Sequence, residues 1–200
     1  VAARSGRHVV LRSRSKETAE ASIAKLTKGL ERQVEKGRLD AAERDAIVGR
    51  ITTTADISDL ADCDLVIESV VEDLAIKKAL FAELDGAVKP GAILATNTST
   101  LPVVELAMAT SRPELVCGIH FFNPAPMMKL VEVIRPLTAS DDTVATAIAF
   151  AESCGKDAVE VVDRAGFIVN ALLFPYLNNA VRMWEQGTAS IDSIDTAMQG

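Results

Sequence analysis

Leu65-Val66-Ile67, a stripe of Ile76, Leu80, Leu84 and Val88 closed by Pro90-Gly91, and then Ala92-Ile93-Leu94-Ala95 read in order as strand, helix and strand. A short apolar run between acidic residues suits a buried strand, and apolar residues three to four apart suit one face of a helix. Pro90 and Gly91 end that helix.

The same alternation extends towards both ends of the chain. Val1 to Ser5 reads as the tail of a helix with Gly6 as its cap, followed by a short buried strand, Val9-Val10-Leu11. Ser15 is placed to cap a helix whose stripe is Ala19, Ile23, Leu26, Leu30 and Val34, and Gly37 ends it. Asp40 with Glu43 predicts a capping box for a helix through about Val48. Ile51 to Thr53 reads as a strand. On the other side, Leu115 to Ile119 and Leu130 to Ile134 read as strands, Thr143 to Cys154 as a helix ended by Gly155, and Val159 to Val162 as the last strand. Continuous apolar strands alternating with helices predict a mostly parallel sheet covered on both faces, with ligands at the carboxyl ends of its strands. After Asp163 the pattern changes. Phe167 to Gln186 is one apolar helical stretch, kinked at Pro175, and Ser190 opens another helix. A boundary near Arg164-Ala165-Gly166 divides the chain into units 1–164 and 165–200.

Composition narrows the function. The chain has 200 residues, 48% hydrophobic and 24% charged, which suits a globular protein with a sizeable core. A net charge of -7 leaves no basic stripe for phosphates, so no nucleic-acid partner is expected, and it argues against an anionic membrane surface. No apolar run reaches the roughly 20 residues that span a bilayer. Val1 to Gly6 holds Arg4 and no apolar run, unlike a signal peptide. Cys63, Cys117 and Cys154 are odd in number and widely spaced, as expected of buried reduced thiols in a cytoplasmic protein, and neither a disulfide nor a metal site is expected.

Three polar segments stand out. Thr96-Asn97-Thr98-Ser99 follows a strand, where ligands bind. Taken alone it reads first as a polar turn in which Ser99 or Thr100 caps a helix beginning near Pro102. His120 ends a strand, Asn123-Pro124-Ala125-Pro126 makes a stiff turn, and the returning strand carries Glu132. That arrangement brings a carboxylate beside a histidine, as a base requires, although a structural histidine and an exposed strand glutamate fit the same pattern. Asn170 lies one turn into the long helix, either facing a cleft between the units or facing solvent.

Asn97-Thr98-Ser99, His120-Phe121-Phe122-Asn123-Pro124-Ala125-Pro126-Met127-Met128-Lys129-Leu130-Val131-Glu132-Val133 and Gly166-Phe167-Ile168-Val169-Asn170 together resemble, in order and spacing, the motif series of the 3-hydroxyacyl-CoA dehydrogenases, including the 3-hydroxybutyryl-CoA enzymes. The resemblance runs along nearly the whole chain. It implies a Rossmann-like α/β unit followed by the start of an all-helical unit, and oxidoreduction between a (3S)-3-hydroxyacyl-CoA and a 3-oxoacyl-CoA, short-chain, in fatty-acid or butanoate metabolism. It further implies that His120 is the general base, that Glu132 pairs with it, and that Ser99 and Asn170 hold the substrate oxygen or orient the acyl group with Asn123 close by. Glu72, Lys77, Asn97 and Ser99 would lie on the side of the nicotinamide cofactor, NAD(H), with a helix-start acid and a solvated lysine as the other reading of Glu72 and Lys77, and the intact protein would be a homodimer. Two features depart from the family. Its opening strand and G-x-G-x-x-G turn are not present, and the helical unit is short, so the chain is expected to be an enzyme fragment with little activity of its own. Ser13 stands where an acid usually meets the adenosine ribose, with Arg14 beside it. That opens use of NADP(H), against a solvated basic turn. A non-catalytic relative and a dehydrogenase of another hydroxy acid remain the competing readings.

Overall fold

The computed structural model describes residues 1–200. After a 3-10 turn, Ala2–Ser5, come β1 (Val9–Arg12), α1 (Lys16–Glu35), α2 (Ala41–Gly49), β2 (Ile51–Thr54), β3 (Leu65–Glu68), α3 (Leu74–Ala87), β4 (Ile93–Thr96), α4 (Val103–Ala107), β5 (Val116–Phe121), β6 (Leu130–Arg135), α5 (Asp141–Ser153), β7 (Asp157–Val162), α6 (Val169–Glu185) and α7 (Ile191–Gln199). The architecture is the mixed α/β, mostly parallel, Rossmann-like arrangement. β3-β4-β5-β6-β7 form one sheet in sequence order, and β1 pairs with β2 in a parallel ribbon of its own. Only β5 and β6 run antiparallel, because a turn joins them and a parallel return needs a longer crossover.

Alternation along the strands shows why both faces are covered. Leu94 and Val116 point into a core with Phe81 and Leu84 of α3 and Val103 and Leu106 of α4. Their neighbours Ile93, Ala95, Cys117 and Ile119 point the other way, against Val144, Ala147 and Ala151 of α5. Gly118 is the thin point between β5 and β6, where a Cβ would lie 2.7 Å from Ile134 Cδ1.

Several local expectations are corrected. Asp40 precedes α2 but its side chain makes no capping bond; the reciprocal box forms at Ser15 with Thr18. β1 is half-buried, since it lies in a ribbon of two strands. The inward face of α3 carries Lys77, Phe81 and Leu84, and Ile76 is exposed. Neither Ser99 nor Thr100 caps α4. Its first residue follows Pro102, and Thr98 Oγ1 instead accepts from the amides of Thr100 and Leu101. α6 starts at Val169, two residues later than the apolar run suggested, because Phe167 has φ 51°. Pro175 lies inside α6, whose Leu172, Phe174 and Trp184 are exposed. Of the three thiols only Cys117 is buried, and burial pushes it up to about 12. No helix is long and apolar enough to cross a membrane.

Candidate active site

The carboxyl ends of β4 and β5 lie side by side, and β6 returns antiparallel along β5. That register sets His120 directly across from Glu132. Both side chains are buried, and His120 Nδ1 lies 2.8 Å from Glu132 Oε2. A buried carboxylate needs partners for its remaining lone pairs. Glu132 Oε1 has two, the amides of Ile168 and Val169, each at 3.0 Å. These are N–H groups at the start of α6, which lack partners inside the helix and carry the positive end of its dipole. One carboxylate thus holds the imidazole and the first turn of α6 together.

The backbone before α6 is bent to allow this. Gly166 has φ 77°, and a Cβ there would come 2.9 Å from the Ala171 amide. Phe167 adopts the left-handed conformation, which costs a non-glycine residue roughly 1–2 kcal/mol. The bend lays the Phe167 ring edge-on to His120, with centroids 5.7 Å apart, and Phe122 covers the imidazole at 4.5 Å. Strain of this kind persists where the surroundings over-determine it, characteristically at functional sites.

The other imidazole nitrogen faces the polar segment after β4. Ser99 Oγ lies 3.1 Å from His120 Nε2, and Asn170 Nδ2 donates to the Ser99 carbonyl at 3.2 Å. Asn97 accepts from the Phe121 amide at 2.8 Å and donates to Ser69 Oγ at 3.1 Å, tying the end of β4 to that of β5. Glu72 accepts from the Ser99 amide at 2.9 Å and from the Thr98 hydroxyl. Burial alone would raise its pKa, but these bonds and the Lys77 ammonium, 3.3 Å away, hold the carboxyl below its ordinary range.

Ser99, His120, Glu132, Asn170, Glu72 and Lys77 therefore form one connected cluster, and Asn97 stands next to it, bonded to the Phe121 amide and to Ser69. Lys77 is fully buried, with Nζ turned to Glu68 and Glu72. Asn123 is exposed on the β5–β6 turn with no hydrogen bond into the cluster. Ser13 and Arg14 stand apart, after β1. Ser13 Oγ lies 2.7 Å from Thr18 Oγ1, and Arg14 is exposed. The preceding Arg12 has a buried Nε without a partner. Sequence reasoning missed Glu68, and it gave Thr98 no role of its own although the residue lies within the polar segment after β4. The signal for Glu68 was an acid ending an apolar strand.

A nucleotide-type sheet with a carboxylate-braced histidine at the carboxyl ends of its strands is the arrangement of an acid/base site beside a bound ligand. Family comparison is specific: the model described as 3-hydroxyacyl-CoA dehydrogenase, NAD binding domain, matches residues 1–164, and its C-terminal domain model matches 166–200. The chain belongs to the 3-hydroxyacyl-CoA dehydrogenase family. It is 44% identical over 200 residues to the 3-hydroxybutyryl-CoA dehydrogenase of Mycobacterium tuberculosis, covering 99% of this chain and 70% of that protein. A probable 3-hydroxybutyryl-CoA dehydrogenase of Bacillus subtilis is 41% identical over 198 residues, with 99% and 69% covered. The crystal structure of (S)-3-hydroxybutyryl-CoA dehydrogenase from Ralstonia eutropha superposes with a TM-score of 0.96 at 36% identity, over 98% of this chain and 70% of that one.

Proposed function

We propose that the protein interconverts a (3S)-3-hydroxyacyl-CoA and a 3-oxoacyl-CoA using NAD(H), with a short acyl chain such as the 3-hydroxybutyryl/acetoacetyl pair. The carrying observation is the unbroken line from Ser99 Oγ through His120 to Glu132 and the amides of α6. With Glu132 accepting from Nδ1, His120 carries its lone pair on Nε2, which accepts from the Ser99 hydroxyl in this structure and, facing a substrate hydroxyl, removes the 3-hydroxyl proton; in reduction it returns that proton. Ser99 lies beside that nitrogen and Asn170 is bonded to the Ser99 carbonyl; in this reading both hold the substrate oxygen, and Asn123 meets the acyl-CoA from the turn. A bound nicotinamide supplies the hydride acceptor or donor. The donor set fits such a cofactor. Glu72, Asn97 and Ser99 gather at one strand end, with Lys77 behind Glu72. After β1, Ser13 and Arg14 follow a guanidinium whose buried Nε lacks a partner.

Residues 1–164 form the cofactor unit and 165–200 the start of the helical one in this reading. The exposed apolar residues of α6 support a homodimer, and the membership of a metabolic enzyme family supports a cytoplasmic place. The absence of an acid at Ser13 supports accommodation of NADP(H) beside NAD(H), since no carboxylate there repels a 2′-phosphate. Turnover of acetoacetyl-CoA and of free acetoacetate by the full-length enzyme is the direct test. Activity confined to the thioester and lost by several orders of magnitude in His120→Gln is expected. Preference for the free acid identifies a different hydroxy-acid dehydrogenase, and no turnover of either identifies a non-catalytic relative.

A further inference from the structure

Behind Ser99 lies a buried ionic cluster in which Glu68 has been given no role. Glu68, the last residue of β3, and Lys77, on the inward face of α3, each have side chains only 1% exposed. Lys77 Nζ donates to both Glu68 oxygens, at 2.8 and 3.0 Å, and reaches Glu72 Oε2 at 3.3 Å. Glu68 is completed by the Thr96 hydroxyl at 2.8 Å and the Val70 amide. Removing two charges from water costs as much as their attraction returns, and apolar residues of similar volume serve a core at least as well. Lys77 occupies an inward position of α3, one turn before Phe81, where a leucine or methionine would do that work. What the ions add is direction. An ammonium anchored by Glu68 pins one oxygen of Glu72, and the other oxygen then takes the Ser99 amide and the Thr98 hydroxyl.

We propose that Glu68 and Lys77 are positioning residues that act through Glu72 and Thr98 to fix Ser99 against His120. The proposal rests on the reading of Ser99 and His120 as the reacting site. Ser99 is then held at three points: its amide by Glu72, its carbonyl by Asn170 and its hydroxyl by His120. Lys77 has no free donor direction towards solvent, so its effect on turnover is indirect. Misplacement of a positioning group by about 1 Å costs on the order of a hundredfold in rate.

The test uses the full-length enzyme with acetoacetyl-CoA and NADH. Lys77→Met alone leaves Glu68 buried without its cation and destabilises the fold, so the informative protein is Glu68→Gln/Lys77→Met, which neutralises both. The double variant is expected to regain the wild-type melting temperature and yet lose about ten- to a hundredfold in kcat, a larger effect than any change in KM for NADH. Recovery of wild-type kcat together with stability makes the cluster purely structural and overturns the proposal. A raised KM for NADH at unchanged kcat makes Lys77 a direct cofactor ligand and overturns it equally. Thr98→Val, with Thr98→Ser as the conservative control, reads the same path by removing the hydroxyl bond to Glu72 while leaving the Glu68–Lys77 pair in place. Loss of kcat in the valine variant and its return in the serine variant are expected, and equal kcat in both refutes the path. The His120 Nε2 nitrogen shift by NMR follows Ser99 independently of turnover. A shift unaltered in Thr98→Val sinks this proposal, whereas wild-type protein inert towards acetoacetyl-CoA sinks only the functional reading.

Discussion

Replacing Glu132 by Gln exchanges one oxygen for an amide nitrogen in a site that admits only one orientation of the new side chain. The Ile168 and Val169 amides both donate to Oε1 at 3.0 Å, so the glutamine carbonyl must stay there; reversed, its NH2 would face two donors. The NH2 group then points at His120 Nδ1, where Oε2 had been 2.8 Å away. A donor at that position makes Nδ1 the acceptor and moves the ring proton to Nε2, the nitrogen that must accept from the substrate. The equivalent change in a Ser–His–Asp triad costs on the order of ten-thousand-fold in kcat through the wrong tautomer. At about 1.4 kcal/mol per tenfold, a loss of a thousand- to ten-thousand-fold corresponds to roughly 4–5.5 kcal/mol of transition-state stabilisation. Shape and both α6 bonds are retained, so the melting temperature changes little. Steady-state reduction of acetoacetyl-CoA gives kcat and KM, and 15N NMR of the imidazole gives the tautomer. A variant keeping more than about a tenth of wild-type kcat, or one with wild-type kcat and raised KM, refutes the tautomer argument.

Three further outcomes follow from the geometry. Ser13→Asp places a carboxylate at the end of β1, so the ratio of kcat/KM for NADPH to that for NADH is expected to fall; an unchanged ratio removes Ser13 from cofactor choice. Gly118→Ala drives a Cβ to 2.7 Å from Ile134 Cδ1 between the buried middles of two strands, and overpacking of this kind costs about 1–3 kcal/mol, read as a lower urea midpoint. Asp85 is held below its ordinary range: burial opposes this, but the Ser111 amide at 2.7 Å and the Arg112 guanidinium at 2.6 Å outweigh it. The unfolded chain therefore takes up the Asp85 proton first as pH falls. Its contribution is complete above about pH 4 and lost as pH drops through the folded value, so Asp85→Asn is expected to flatten the acid limb of stability in urea titrations run at successive pH values.

The strand–helix–strand pattern around Leu65 and Ala92 was legible because periodicity reports burial directly. The meeting of His120 with Glu132 was legible only in part: a stiff turn between two strands allows it, but a structural histidine and an exposed glutamate fitted the same pattern until the family resemblance favoured the pair. Other features were hidden for identifiable reasons. A stripe drawn on apolarity turns Ile76 inward and Lys77 outward. A buried ion pair reverses that by one residue, and nothing local announces that Glu68 waits for the ammonium. An acid ending a strand reads as a solvated boundary. Asp40 with Glu43 has the spacing of a capping box yet makes no side-chain bond, while Ser15 finds a partner in the hydroxyl of Thr18. The bond from Glu132 to the Ile168 amide spans 36 residues, and it depends on a phenylalanine in a conformation that residue type rarely adopts. The separate pairing of β1 with β2 is likewise a long-range outcome that strand propensity does not encode.

Glu132 serves two masters with its two oxygens, and that limits how the protein can be recombined. A helical unit borrowed from a relative will dock only if its first turn offers two amides at the height of Oε1, which the left-handed pair Gly166-Phe167 secures. A graft joined after Asn170 inherits that geometry intact. One joined at Asp163 must bring its own bend, or the graft will fold and leave the histidine beside a half-satisfied carboxylate. Shuffling experiments on this family thus have a natural seam a few residues inside the helix, not at the turn where the two patterns of sequence meet.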